Sequence, residues 1–272
     1  MSRASSFSLP RVGAMVLRYL YLLRSSWPRV VDLIYWPSVQ MLTWGFIQIY
    51  VGRVSGAAGT VGVVAGTLVG AVMLWDILFR GQLGFSISFL EEMYSRNIGN
   101  LLMSPLRPLE FVAALMVMSL IRLMIGIIPV TVMALVFFGF NLWGLGLGLA
   151  AFFANLILTS WSVGLVVSGF LLRNGLGAEA LAWSLMFVLL PLCCVYYPVD
   201  VLPGWLQVIA WLLPPTYVFE GLRAALSQHV FRGDLMAQAL AMNAILFGAS
   251  VAAFMGLLRS SRAAGTLLQM GE

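Results

Sequence analysis

Lysine is absent from this sequence; all fifteen of its lysine-plus-arginine positions are arginine. A phosphate-cradling loop of the Walker type needs a lysine on the nucleotide phosphates, so any ATP-driven work done with this chain is done by a partner's ATPase. Charge of either sign is scarce as well. Charged residues make up 9% of the chain, against about 25% in an ordinary soluble domain, which leaves no room for a soluble domain of useful size. Cysteine is limited to Cys193 and Cys194, adjacent in an apolar run where a mutual disulfide would be strained, and the pair reads as small apolar filler. The one histidine, His229, has no cysteine, histidine or acid at ligand spacing, so no metal site is expected. Nor do the arginines form a stripe with stacking aromatics, and the net charge of +5 therefore does not point to nucleic acid. No cleavable signal peptide is expected, because Arg3, Arg11, Arg18, Arg24 and Arg29 interrupt every apolar stretch of the first 30 residues.

What the sequence has in abundance is apolar length. Hydrophobic residues are 61% of the chain, gathered into six runs near the roughly 20 residues that a helix needs to cross a bilayer core about 30 Å thick. The expected fold is an all-α, polytopic membrane protein with spans at 32–51, 61–90, 108–138, 142–172, 179–196 and 235–258. A Gly/Ser/Ala break at 52–60 separates the first two. Ahead of them, Val12, Met15, Val16, Tyr19, Leu20 and Leu23 recur at helical spacing opposite Arg11, Arg18 and Arg24, which predicts an interfacial helix within 7–27. The chain thus divides into a tail and interfacial elbow at 1–30, a six-span domain at 31–258 and a short tail at 259–272. With the N-terminus in the cytoplasm, eleven arginines fall on the inner side and three, Arg53, Arg223 and Arg232, outside. That bias predicts two cytoplasmic termini.

Two connections are unusual. The inner one, 91–107, mixes Glu91, Glu92 and Arg96 with Met93, Tyr94 and Asn97 and ends in Ser-Pro and Arg-Pro turns; a short helix exposing the charged residues suits a partner's groove. The outer one, 197–234, is rich in proline and aromatics, and its two short amphipathic pieces around Pro214-Pro215 predict a re-entrant element.

On these segments the chain resembles the permease subunits of ABC-2 type exporters. The likeness rests on the inner Glu91-Glu92-Met93-Tyr94-Ser95-Arg96-Asn97-Ile98-Gly99-Asn100-Leu101 and the outer Leu213-Pro214-Pro215-Thr216-Tyr217-x-x-Glu220-Gly221-Leu222-Arg223, within the six-span plan. It implies two copies forming a dimer in a bacterial inner membrane, each engaging a separate nucleotide-binding subunit that carries the ATP and magnesium. Glu91, Glu92, Met93, Tyr94, Arg96 and Asn97 would be the coupling residues. Members of this family export polysaccharide, teichoic acid, drugs, haem-related molecules or lipid-like products, and the two motifs do not separate these cargoes.

Three further expectations follow. Counted from the inner ends of their spans, Asp76 and Arg122 each lie about 21 Å deep; charges at such depth pair, so these two are expected to face each other, with Arg80 as a competing partner one turn from Asp76. At the outer side, Asp200, Trp205, Tyr217, Glu220 and Arg223 are expected to cap the exit of the pathway, for a lipid-like or drug-like cargo in preference to a lipid-linked polysaccharide. Trp27, Tyr35, Trp36, Trp143 and Trp205 fit an interfacial belt, Phe85, Phe89, Tyr94, Tyr196, Tyr197 and Tyr217 a pathway mouth, and Gly62, Gly66 and Gly70, with Gly144, Gly146 and Gly148, close helix contacts. An ATP-independent transporter would repeat its broken helices in two halves, and here the broken segment occurs once. A membrane enzyme would need a nucleophile and base that Asp76, Arg80 and Arg122 do not provide.

Overall fold

The computed structural model describes residues 7–54 and 61–263, with 61–66 and 102 described by their backbone alone. Helix dominates, and no strand occurs among the described residues. The helices are α1 (Leu9–Arg24), α2 (Trp27–Val54), α3 (Val61–Tyr94), α4 (Ile98–Met103), α5 (Pro108–Phe138), α6 (Leu147–Asn174), α7 (Leu181–Leu192), α8 (Gly204–Trp211), α9 (Pro214–Ser227) and α10 (Gly233–Ala263). Parts of the expected tails and of the 52–60 break lie outside the described residues, as do Gly62 and Gly66 for any statement about packing.

By length and composition, four stretches suffice to cross a membrane: Thr67–Tyr94, Pro108–Phe138, Leu147–Ala178 and Gly233–Ala263. The remaining two expected spans differ for physical reasons. Helix α2 has 28 residues, ample length, but Arg29, Asp32, Arg53 and several polar side chains dilute its apolar character. Helix α7 has 12 residues, about 18 Å at 1.5 Å per residue, well short of a bilayer core.

Helix α3 is the axis of the bundle, packed by α2, α5, α6, α7 and α9. The amphipathic face of α1, Val12, Met15, Tyr19 and Leu23, is buried, mostly against the first turns of α5. That end of the molecule is termed the elbow end, and the opposite one the far end. Each has its own apolar core. Tyr19, Phe85, Phe89, Phe111, Leu165 and Phe254 share the elbow-end core, and Trp75, Phe152, Phe219, Leu222 and Met236 the far-end one. Phe85 and Phe89 are therefore core residues and line no mouth.

Small residues decide how closely the helices approach. A Cβ on Gly164 would lie 2.9 Å from the Phe85 ring, and one on Gly126 would lie 2.6 Å from the carbonyl oxygen of Leu33. The Leu33 carbonyl is open to this approach because Pro37, one turn later in α2, has no N–H to offer it. Gly144 and Gly146 do not form a packing stripe. Helix α6 starts only at Leu147, so Gly144 sits in a 3-10 turn (Leu142–Leu145) and Gly146 turns the chain at φ +55°.

Candidate functional site

Three carboxylates of the elbow end are held by arginines from other helices. Pro108 opens α5, and Glu110 in its first turn accepts hydrogen bonds from the Arg107 amide at 2.9 Å and the Ser8 amide at 2.8 Å, with Arg11 at 2.9 Å. Glu92 is buried; Arg18 of α1 and the Asn97 side chain donate to its two oxygens, the latter at 2.7 Å. Next to it, burial and then the Glu92 charge push the Tyr19 phenol well above its ordinary pKa. Glu91 accepts from Arg29 of α2 at 3.2 Å and from Arg122 of α5 at 2.9 Å.

This arrangement corrects two expectations. Arg122 meets Glu91, while Asp76 has Arg80 of its own helix at 3.5 Å. The depth estimate fails because α5 starts beyond the level where α2 starts: its first turns run alongside α1, and Gly126 is level with Leu33 near the start of α2. Arg122, one turn before Gly126, is thereby level with Arg29, and both reach Glu91. The second correction concerns the inner segment. No docking helix starts at Glu91, because α3 continues to Tyr94, ends in an αL turn at Arg96 (φ +52°), and only then gives the short α4. The amides of Arg96 and Asn97 bond back to the carbonyls of Met93 and Glu92 at 2.9 Å each, a helix-ending motif that ordinarily uses glycine. Glu92 and Met93 are buried, whereas Tyr94, Arg96, Asn100 and Met103 are exposed.

Between α2 and α7, which both rest on α3, lies a cleft of about 520 Å³. Its floor is Trp75, Phe79, Arg80, Leu83, Gly84 and Ile87 of α3, and its walls carry Asp32, Trp36 and Gln40 of α2 with Trp183 and Phe187 of α7. Phe79 is the hub of the aromatic set, with ring centroids 6.2 Å from Trp75, 6.4 Å from Trp183 and 5.9 Å from Phe187. Beyond Gln40, the Tyr196 ring stacks on Trp44 of α2 at 4.6 Å. Sequence reasoning did not assemble this cleft, although Trp36 was singled out.

At the far end, α9 starts on Pro214-Pro215, whose fixed φ suits a first helical turn, and is buried against α3, α6 and α10. Glu220 and Arg223 bond each other at 2.8 Å; Glu220 also accepts from the Val199 amide at 2.9 Å, and Arg223 donates to the Cys194 carbonyl at 2.9 Å. This clasp ties α9 to the chain leaving α7. The Tyr217 hydroxyl donates to the Trp211 carbonyl at 2.9 Å, the Tyr197 hydroxyl to the Pro191 carbonyl at 2.8 Å, and Asp200 and Trp205 are exposed. Asp200, Trp211, Glu220, Arg223, Gln228 and Arg232 border a polar recess of about 420 Å³.

A polar contact between spans also escaped sequence reasoning. Asn243 of α10 donates to the carbonyl and side-chain oxygens of Asn155 on α6, at 3.0 and 3.1 Å, and accepts from Thr159 at 2.7 Å. The signal was present in the sequence: an asparagine within an apolar run, where an unpaired amide is costly.

Comparison with curated proteins gives no match. The family model described as ABC-2 type transporter matches residues 21–227, from within α1 to the end of α9, and so takes in the elbow-end carboxylates, the cleft and the far-end clasp. This is a family of transport permeases, not of catalysts. The chain belongs to the ABC-2 type transporter family, as the permease of an ABC transporter.

Proposed function

We propose that this chain is the permease half of an ATP-driven exporter of lipid-like or hydrophobic drug-like molecules. Two copies form the pathway, and each engages a separate nucleotide-binding subunit, which holds ATP and magnesium, through the exposed part of the segment between α3 and α5. The elbow end faces the cytoplasm of a bacterial cell, with both termini on that side of the inner membrane and lipid around the bundle. Helices α2 and α7 complete six spans, α7 with the irregular chain on either side of it, and α8 and α9 dip back from the outer surface. The gathering of Arg11, Arg18, Arg29 and Arg107 at the elbow end supports this orientation.

The observation that carries the cargo class is the cleft. Aromatic and aliphatic side chains make most of its lining, which suits an apolar molecule stacked on rings better than a hydrated ion. The test is to purify the tagged chain from its native membrane and to assay inverted vesicles for uptake of a hydrophobic dye. An ATPase with Walker motifs should accompany the chain, and uptake should require ATP. Dye movement independent of nucleotide, with no ATPase bound, would overturn the proposal.

One observation favours a second cargo, a lipid-linked glycan. The far-end recess combines the Trp211 ring with carboxylates and guanidinium groups, the chemistry that holds sugars. If truncating Trp211 abolishes display of a surface polysaccharide and leaves dye export intact, the glycan is the cargo.

A further inference from the structure

The cleft is not uniformly apolar, and its charged groups differ in how strongly they act. Asp32 sits on an exposed position near the start of α2, where water weakens its field about fourfold relative to a partly buried site. Arg122 already bonds Glu91 at 2.9 Å. Arg80 is different. Its side chain is 14% exposed, on the cleft floor, and its single ion pair among the described residues is the 3.5 Å contact from Nε to Asp76. Both atoms of that contact lack a hydrogen bond, and no partner within the described residues bonds the two terminal nitrogens. A guanidinium fork presents its donors in the geometry that fits a carboxylate, phosphate or sulfate. A charged group at membrane depth with open donors is expensive unless a partner, cavity water or a ligand satisfies it, and such groups mark substrate pathways.

We infer that the cleft binds an amphiphile with one anionic group on an apolar body: the anion is held by Arg80, and the body lies between Trp36, Phe79, Trp183 and Phe187. This inference rests on the proposed function, which it deepens by giving the cargo a charge. Asp76 competes with the ligand for Arg80 and keeps the empty site neutral.

The test uses the full chain in phosphatidylcholine nanodiscs and dibromostearate, whose bromines quench tryptophan; Trp36, Trp75 and Trp183 border the cleft. The controls are the uncharged methyl ester and a brominated alkylamine of the same length. The acid should bind about tenfold more tightly than the ester, as a charge-assisted hydrogen bond provides, and Arg80→Gln should remove the difference. Asp76→Asn, which keeps the guanidinium and removes its competitor, should tighten the acid several-fold; that increase cannot come from misfolding. Asp32→Asn should change little. Equal binding of acid and ester, tightest binding of the amine, or an unchanged preference in Arg80→Gln would each overturn the inference. Adding phosphatidylglycerol to the nanodiscs separates sources within the class: competition assigns the anion to a lipid headgroup, and its absence to a free amphiphile. No nucleotide or ATPase enters this measurement, so its failure leaves the transporter assignment standing. Conversely, loss of the ATPase association would count against that assignment with binding unchanged.

Discussion

Arg122 and Glu91 are bonded at 2.9 Å across α5 and α3, and Arg29 of α2 takes the other oxygen of the same carboxylate at 3.2 Å. One acid thus joins three helices, but its two arginines are unequal. Arg122 is 6% exposed and Arg29 51% exposed. Breaking a buried pair by removing one partner costs about 3 kcal/mol or more, whereas an exposed pair contributes less than about 1 kcal/mol. Arg122→Gln should therefore lower the melting temperature of the purified protein markedly and Arg29→Gln only slightly. A double-mutant cycle should give coupling between Arg122 and Glu91, and additive behaviour between Arg122 and Asp76. The reverse pattern would mean that the two arginines are wrongly paired here.

The contact between Gly126 and Leu33 yields a prediction about sign. An alanine at position 126 would put its Cβ 2.6 Å from the Leu33 oxygen, on a helix that Pro37 prevents from bonding that oxygen itself. Gly126→Ala should destabilise by about 1–3 kcal/mol through overpacking. The same change at Gly13, on α1, meets nothing within 4 Å and should stabilise by up to about 1 kcal/mol. Thermal melts of the two variants side by side settle the matter; shifts of equal sign would contradict the close approach of α2 and α5.

Asn243 supplies a third test, at the seam of α6 and α10. It is fully buried, and its bonds to Asn155 and Thr159 form one of the polar links between those helices, the Ser261 hydroxyl donating to the Leu172 carbonyl being another. Hydrogen bonds between spans average about 0.6 kcal/mol, with a maximum near 1.7, so Asn243→Leu should cost about 1–2 kcal/mol in all. Combining it with Asn155→Leu should recover part of the loss, because replacing both partners leaves no amide stranded. Full additivity would show that the asparagines act separately.

Much of this was legible in the sequence, and what was not had specific causes. The amphipathic α1, the long α3, α5, α6 and α10, and the proline-started α9 all follow from apolar periodicity and turn chemistry. The family match over 21–227 agrees with the resemblance carried by the Glu91 and Leu213 motifs. Pairing of charges was not legible, because it depends on the vertical offset between helices. Arg122 reads as level with Asp76 when the span is ended at Leu90, whereas α3 runs on to Tyr94, and the direction in which a long arginine side chain reaches is not set by its backbone depth. The burial of Glu92 was hidden for a related reason: the arginine that neutralises it, Arg18, lies 74 residues away on another helix. The cleft was hidden because its walls come from α2, α3 and α7, and no local pattern announces that the first and last of these stand apart on the second.

The burial of Glu92 also moves the surface on which a nucleotide-binding subunit would act. Glu92 binds Arg18 and Asn97 inside the protein, so Glu92→Gln should act first on stability, lowering the melting temperature as the guanidinium loses its partner. The groups available to a partner are those beyond the αL turn. Tyr94 is 54% exposed and Met103 80% exposed, at opposite ends of the turn and α4, and aromatic and methionine side chains are the kind that anchor interface cores. Tyr94→Ala combined with Met103→Arg should leave the melting temperature within about 1 °C of the parent, since each removes little buried contact, yet weaken association with the ATPase about tenfold or more. The measurement is the amount of ATPase retained on the tagged permease, alongside the melt of each variant. Retention unaffected by the Tyr94 and Met103 changes but lost with Glu92→Gln at an unaltered melting temperature would return the docking role to the buried carboxylate.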